Sequence, residues 1–393
     1  MSAALRHPWS LDPTIRFLNH GSFGACPKPV LAVQQRLREQ MEREPVRFFL
    51  RELEGLLDDA RRALADFIGA DAEGLAFVPN VTSGVNAVLR SFPLVAGDEL
   101  LVSDHAYNAC RTALDFVAAA AGARVVVARI PFPIRSPADV VEAMMACVGP
   151  RTRLALVEHV TSPTGLVFPI ARLVRELDAR GVETLVDGAH AAGMVALDVQ
   201  AIAPTYYAGN CHKWLCAPKG AGFLYVRRDR QQQVRPLAIS HGANSPRTDR
   251  SRFRLEFDWS GTDDPTAYLC IPDAIRFMAS LMPGGWPDVM GRNRALALEA
   301  RTILCAGRGI PAPCPDEMIG SLATVPLPDG LGAPIGLDPL QNVLFDRFAI
   351  EVPVMAWPHA PKRLIRVSCQ LYNERADYEA LAGALRELDV ATP

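Results

Sequence analysis

The sequence predicts an α/β fold: a large layer built on a mostly parallel sheet, followed by a smaller α+β part. Three observations carry that expectation. Short apolar runs bounded by turn residues alternate with helical stretches from about Asn19 to Arg230, the rhythm of strands joined by helical crossovers. Past Arg230 the alternation loosens into a helix-rich region with a few more strands. The chain is also long enough, at 393 residues and 49% hydrophobic, to bury two cores.

The strands of the large layer are expected at Leu75–Val78, Glu99–Val102, Arg124–Ile130, Leu154–Glu158, Glu183–Val186, Thr205–Ala208 and Gly222–Val226, each a short apolar run. Helical periodicity is clearest at Val30–Arg43, Arg51–Ile68, Asp139–Val148, Ile170–Arg180, Pro287–Cys305 and Ala376–Leu388. In the second of these, Leu53, Leu56, Leu57, Ala60, Leu64 and Phe67 form one apolar stripe. Arg235–Arg254 is basic, rich in Ser, Pro and Asn, and lacks apolar periodicity, so it reads as a long loop. Strands near Ile319–Val325, Ile350–Val354 and Leu364–Val367 complete the chain. The expected division is an N-terminal segment 1–18, a large α/β domain 19–255 and a small α+β domain 256–393.

Composition excludes several function classes. A net charge of -2 argues against general nucleic-acid binding. The most apolar stretch, Phe116–Ile134, is broken by Arg124 and Arg129, short of the run a membrane span needs. The start of the chain shows no basic region followed by an apolar run, and nine scattered Cys suit a reduced, cytoplasmic setting. Cys211 and Cys216 have no second pair at ligand spacing, so no metal site is expected. The 41 basic residues include only four lysines, Lys28, Lys213, Lys219 and Lys362. Any chemistry that needs an amine must use one of them.

The chemistry-bearing segment is Glu183–Val226. A buried strand ends in Asp187, placing a carboxylate where α/β folds bind ligands, and His190 follows. The next strand delivers Asn210, Cys211, His212 and Lys213, followed by Trp214 and a Gly-rich turn. A lysine among aromatic and small residues is desolvated and so held in its nucleophilic form. With a carboxylate to pair a protonated pyridine, these are the two obligatory parts of a pyridoxal phosphate site. Lys219, in a Pro-Lys-Gly turn, reads as exposed. The run Gly330–Gly336 has the wrong spacing for a dinucleotide loop.

VDGAHAAG followed some twenty residues later by NCHKW resembles the class V aminotransferase family of fold-type I pyridoxal phosphate enzymes, and within it the isopenicillin N epimerase-like branch. The likeness runs through FLNHGSFGACPKPV, NVTSGVNAVLR, SDHAYNAC, EHVTSPTGLVFP, IEVPV and RVSCQLYNE. It implies a mostly parallel sheet sandwiched by helices and a cofactor, pyridoxal 5'-phosphate, bound through Lys213. Asp187 would pair with the pyridine nitrogen and His190 would lie near the phenolic oxygen. Thr82 and Ser83 would bind the phosphate at a helix N-terminus, which independently favours anions, and Asn210 and His212 would reach it too. His105 matches the ring that stacks on the pyridine, with Tyr107 as an alternative. Gly261-Thr262 resembles a turn supplied by a neighbouring subunit, implying a homodimer with shared sites. Arg366 matches the arginine that forks onto a substrate carboxylate.

The implied substrate is a small amino acid or a derivative, attacked at its α-carbon with Lys213 as base. Epimerisation is the leading expectation. The alternative is C–S β-lysis of a cysteine-derived substrate, as in a hercynylcysteine sulfoxide lyase. Behind these stand transamination, cysteine desulfuration and a non-catalytic binding role. Desulfuration needs a thiolate shortly before the carboxylate-binding arginine, and Val352–Arg366 contains no Cys. For the second proton-transfer group, Tyr107, Tyr206 and water remain open.

Overall fold

The computed structural model describes residues 5–330 and 336–390; most of the run Gly330–Gly336 lies outside them. Strand β1 (Arg16–Phe17) precedes the main sheet, made of β2 (Leu75–Val78), β3 (Glu99–Ser103), β4 (Arg124–Ala128), β5 (Thr152–Glu158), β6 (Glu183–Gly188), β7 (Tyr206–Asn210) and β8 (Gly222–Val226). Its order is β2-β8-β7-β6-β5-β3-β4. All neighbours pair parallel except β8, which is antiparallel to both β2 and β7. The parallel pairs are joined through helices, whereas β7 returns to β8 through a short irregular stretch, 211–221, that contains Lys213.

Alternation along the strands divides the core between the two faces of the sheet. Leu101, Ala155, Val157, Val186, Tyr207 and Phe223 face one side. Leu100, Leu154, Leu156, Leu185, Tyr206 and Leu224 face the other, where Cys110 and Leu114 of the helix Asn108–Ala121 cover them. By the same alternation Glu158 and Asp187 point to this second face.

Two strands lie at their expected bounds, Leu75–Val78 and Gly222–Val226. Others run further: β6 continues through Asp187 and Gly188 and β7 through Gly209 and Asn210. Backbone pairing does not depend on side-chain polarity, so the ladder outlasts the apolar pattern. The stretch Arg235–Arg254 is not wholly a loop. It holds a 3-10 turn at His241–Asn244 and the start of a helix Arg252–Phe257. Ser251 caps that helix by accepting from the Arg254 amide, and Arg254 pairs with Asp58, Glu73 and Asp258. These ion pairs hold it together with Phe253 and Phe257, which are buried in the core.

The second sheet has three antiparallel strands in the order β11-β12-β9: β9 (Leu322–Leu327), β11 (Val354–Ala356) and β12 (Arg363–Ser368). The helices Trp286–Arg308 and Arg375–Val390 pack with it. Strand β10 (Ile350–Glu351) pairs with β1 instead, and Asn19 Nδ2 donates to Glu351 Oε1 at 2.9 Å, so the start of the chain is bound to this later part. Helix Ile271–Ser280 packs on Lys28–Arg43 and Leu53–Ile68. We therefore propose a domain boundary at the start of Trp286–Arg308 rather than at 255.

Candidate active site

Strand register brings the expected residues to one edge of the main sheet. Val78 and Asn210 both pair with Gly222, Gly188 with Gly209, Asp187 with Ala208 and Glu158 with Asp187. Because β2, β5, β6 and β7 all end here, the edge collects their C-terminal residues, the position where α/β sheets bind ligands.

Helix Val81–Ser91 starts at the same edge. Asn80 caps it, Oδ1 accepting from the Ser83 amide at 2.9 Å, and Asn210 Oδ1 accepts from the Val81 amide at 3.0 Å. Its first turn carries no acidic residue, and Thr82 and Ser83 stay partly exposed. A positive dipole end with hydroxyls on it and no acidic residue in its first turn suits a phosphate.

Lys213 lies past β7. Burial first, then the charge of Arg366, lower its amine to about 8, with Asp187 opposing. Its Nζ is 3.3 Å from His190 Nε2, while the Trp214 indole N–H donates to His190 Nδ1 at 3.2 Å. Burial keeps the His190 ring neutral, well below its usual range, and the charge of Lys213 adds to this. From the other side, His20 Nε2 lies 3.0 Å from the Lys213 carbonyl and its Nδ1 2.8 Å from the Tyr372 hydroxyl. Gly24 approaches the same loop so closely that a Cβ on it would sit 2.1 Å from the His212 carbonyl oxygen.

Asp187 accepts from the Ala189 amide at 3.0 Å and from the Cys110 thiol at 3.3 Å. Burial pushes its carboxyl up, and both donors and Lys213 pull it down. Next to it Glu158 takes the Ser103 hydroxyl on Oε2 at 2.7 Å, and its buried Oε1 has no partner. Burial raises Glu158 to about 8. His212 Nδ1 donates to the Ala221 carbonyl at 2.9 Å, and burial holds the ring down at about 4. A dianion facing Nε2 would draw a proton back to it.

Arg366, on β12, is buried among Ser162, whose carbonyl and hydroxyl it binds, and the Ser22 hydroxyl at 3.3 Å. Its Nε has no partner. An unsatisfied buried guanidinium N–H is a donor suited to a carboxylate oxygen.

Two expected residues are placed otherwise. His105 is 0% exposed, with Nδ1 at 2.7 Å from the Thr164 hydroxyl and Nε2 at 3.1 Å from the Ile130 carbonyl. A ring with no free surface offers no face to a cofactor. Tyr107 is 48% exposed at the start of the helix Asn108–Ala121 and lies within electrostatic reach of Arg366. Thr262 is exposed, beside Gly261, which lines a cavity of about 200 Å³ together with Ser83, Leu237 and Trp259. Tyr206 begins β7 at the far end from Asn210 and donates to Glu183 at 3.0 Å, so it is no proton donor here. Lys219 reaches back from its turn to the Gly24 carbonyl at 2.8 Å, and Arg47 pairs with Glu52 on the surface.

Sequence reasoning missed Cys110, Glu158, Ser22 and Ser162. Of these, only Glu158 carried a signal, as a polar residue closing an apolar strand. Lys213, Asp187, Thr82, Ser83 and Arg366 together form a donor set that fits pyridoxal phosphate: an amine, a carboxylate, an anion-binding turn and a carboxylate clamp.

Residues 26–281 match the family described as Aminotransferase class-V. The chain is 42% identical to isopenicillin N epimerase of Amycolatopsis lactamdurans, covering 98% of each. It is 30% identical to a probable chloroplastic L-cysteine desulfhydrase of Arabidopsis thaliana, over 96% of this chain and 83% of that one. Among solved structures, the cysteine desulfurase CsdA of Escherichia coli superposes with a TM-score of 0.78 at 21% identity, covering 99% of both chains.

Proposed function

The chain belongs to the class-V aminotransferase family, and from that premise we propose that it is an epimerase, inverting the amino-bearing α-carbon of an amino-acid-derived substrate. Its cofactor is pyridoxal 5'-phosphate, which supplies an electron sink that acidifies a bond to that carbon. Lys213 holds the cofactor covalently and, as a neutral amine, takes the α-proton. Asp187 serves the pyridine nitrogen and His190 the phenolic oxygen. Thr82, Ser83 and His212 bind the phosphate, and Asn210 anchors the turn that presents them. Arg366 takes the substrate carboxylate with its free Nε–H. Tyr107 is the stacking ring, and His105 is structural.

The observation that carries the reading is full-length identity of 42% to an epimerase, together with an amine and a buried carboxylate held at one sheet edge. A β-lyase is the second reading, favoured by the 30% likeness to a desulfhydrase. Desulfuration fits poorly. Eight of the nine cysteines are buried, Cys147 is the partly exposed one, and none lies between β11 and β12 beside Arg366. Cys110 reaches the site only as a buried thiol raised far above its usual range, a donor rather than a nucleophile.

We also read the active unit as a homodimer in which Thr262 of the partner subunit contributes to the phosphate site. The exposure of Thr262, and of Leu237 in the lining of the cavity at Ser83, supports this. A cytoplasmic setting agrees with nine free cysteines, and among the described residues no helix is long and apolar enough to cross a membrane.

The test is turnover of isopenicillin N and of cysteine in deuterated water. Deuterium at the α-carbon with inversion and no keto acid supports the epimerase. Pyruvate with released sulfide establishes the lyase instead.

A further inference from the structure

Three polar atoms in a row decide the state of the Lys213 amine, and the first belongs to a residue with no part in the chemistry so far. The Trp214 indole is a donor only. It is buried, packs at 4.8 Å against the His20 ring, and points its N–H at His190 Nδ1, 3.2 Å away. A neutral imidazole has one hydrogen and one lone pair, so Nδ1, receiving from the indole, is the lone-pair nitrogen. The hydrogen then sits on Nε2, which faces Lys213 Nζ at 3.3 Å.

We infer that Trp214 is a positioning residue: it fixes His190 in the Nε2–H tautomer, so that the imidazole meets the Lys213 amine only as a donor. This rests on the reading of Lys213 as the cofactor-holding amine. An ammonium has no lone pair to receive that hydrogen, whereas a neutral amine does. The tautomer therefore favours the neutral, nucleophilic form, in the same direction as burial and the Arg366 charge and against the carboxylate of Asp187. The charged groups that reach His190 are Lys213 and Arg366, and His20, the other titratable neighbour, is itself held neutral by burial; none offers the ring a carboxylate that would stabilise the cation. Once the amine moves away, the same Nε2–H remains aimed into the site as a fixed donor for an oxygen anion such as the cofactor's phenolic oxygen. Without the indole, His190 is free to carry its hydrogen on Nδ1 and to turn an acceptor toward Lys213, which stabilises the ammonium.

Two measurements on the full-length protein freed of cofactor test this. With eight histidines in the chain, selective ¹⁵N labelling resolves the ring nitrogens, His190 being assigned by its loss in His190→Gln. Between pH 6.5 and 8.5 the wild type should show His190 with hydrogen on Nε2; hydrogen on Nδ1 overturns the proposal. Secondly, the rate at which a small acylating reagent modifies Lys213, read by peptide mass, reports the neutral amine. Trp214→Phe should lower that rate about 3- to 10-fold at pH 7.5 as the amine's titration moves up. His190→Gln, whose amide can accept from the indole and donate to Lys213, should keep the wild-type profile. An unshifted profile in a folded Trp214→Phe protein sinks the idea, and if that variant does not fold, the wild-type tautomer decides alone. Lys213→Ala tests the underlying reading separately: loss of borohydride-fixed cofactor upholds it whatever the tautomer proves to be.

Discussion

Glu158 and Asp187 are register partners on neighbouring parallel strands, and both are buried carboxyls facing the same side of the sheet. Two like charges this close cannot both be kept cheaply out of water. Their surroundings separate them: Asp187 has two donors and the influence of Lys213, whereas Glu158 has one hydroxyl and an oxygen with no partner. Asp187 is thus the carboxylate, and Glu158 holds a proton at neutral pH.

That division makes stability depend on pH. In the unfolded chain Glu158 ionises in the ordinary carboxylate range, but in the folded protein it does so only at about 8. Folding therefore takes up a proton in the window between, and stability falls as pH rises through it. Glu158→Gln removes this dependence and keeps an acceptor for Ser103. Denaturant titration of the cofactor-free protein should show the variant gaining on wild type from pH 5 upward, by about 4 kcal/mol at pH 9. Parallel curves would mean that Glu158 is already ionised at neutral pH.

Removing Arg366 has two separable consequences. Arg366→Leu deletes the carboxylate clamp and should raise KM strongly, cutting kcat/KM by about 10²-fold or more. It also deletes a charge that depresses Lys213, so the Lys213 amine should titrate higher and the acid limb of the pH–rate profile should move up. Arg366→Lys restores a charge but not the fork, and should repair the pH profile while leaving KM high. If the pH profile stays fixed in Arg366→Leu, the electrostatic link between the two residues is absent.

The sheet was legible because buried strands are written as short apolar runs, and β2 and β8 have those bounds in the structure. The ends that carry chemistry were less legible, since Asp187, Gly188, Gly209 and Asn210 continue the backbone ladder under side chains that read as turn. Lys213 was singled out as the candidate amine by the scarcity of lysine and its aromatic setting, and the fold places its Nζ beside His190. The partners of Asp187 and Arg366 were not, because Cys110, Ser22 and Ser162 reach the site from distant segments, and only the fold brings them there. His105 illustrates a related limit: residues two apart in sequence, His105 and Tyr107, differ in whether any ring surface is open.

The two rings should therefore respond differently to substitution. Tyr107→Ala removes the exposed ring proposed to stack on the cofactor and should weaken pyridoxal phosphate binding about 3- to 10-fold, with Tyr107→Phe close to wild type. His105→Ala instead leaves Thr164 and the Ile130 carbonyl without partners and should cost about 1–3 kcal/mol of stability. Cofactor titration by fluorescence, paired with thermal melts, separates the two. A binding loss in His105→Gln without any loss of stability would return the stacking role to His105.

Gly24 and Gly181 have nearly the same backbone angle, φ +69° and +72°, but different surroundings. A Cβ on Gly181 meets nothing within 4 Å, whereas one on Gly24 would strike the His212 carbonyl at 2.1 Å and the Lys213 Cα at 3.0 Å. Alanine at Gly181 should cost only the left-handed conformation, about 1 kcal/mol. Alanine at Gly24, whose ψ of 164° places it in a region that is essentially glycine's alone, should cost more than that and displace the backbone that carries Lys213, adding about 2 kcal/mol or more. The decisive readout is cofactor retention. After dialysis Gly181→Ala should hold borohydride-fixed pyridoxal phosphate like wild type, while Gly24→Ala should lose most of it. If the two variants retain cofactor equally, the N-terminal segment does not set the position of the Lys213 amine.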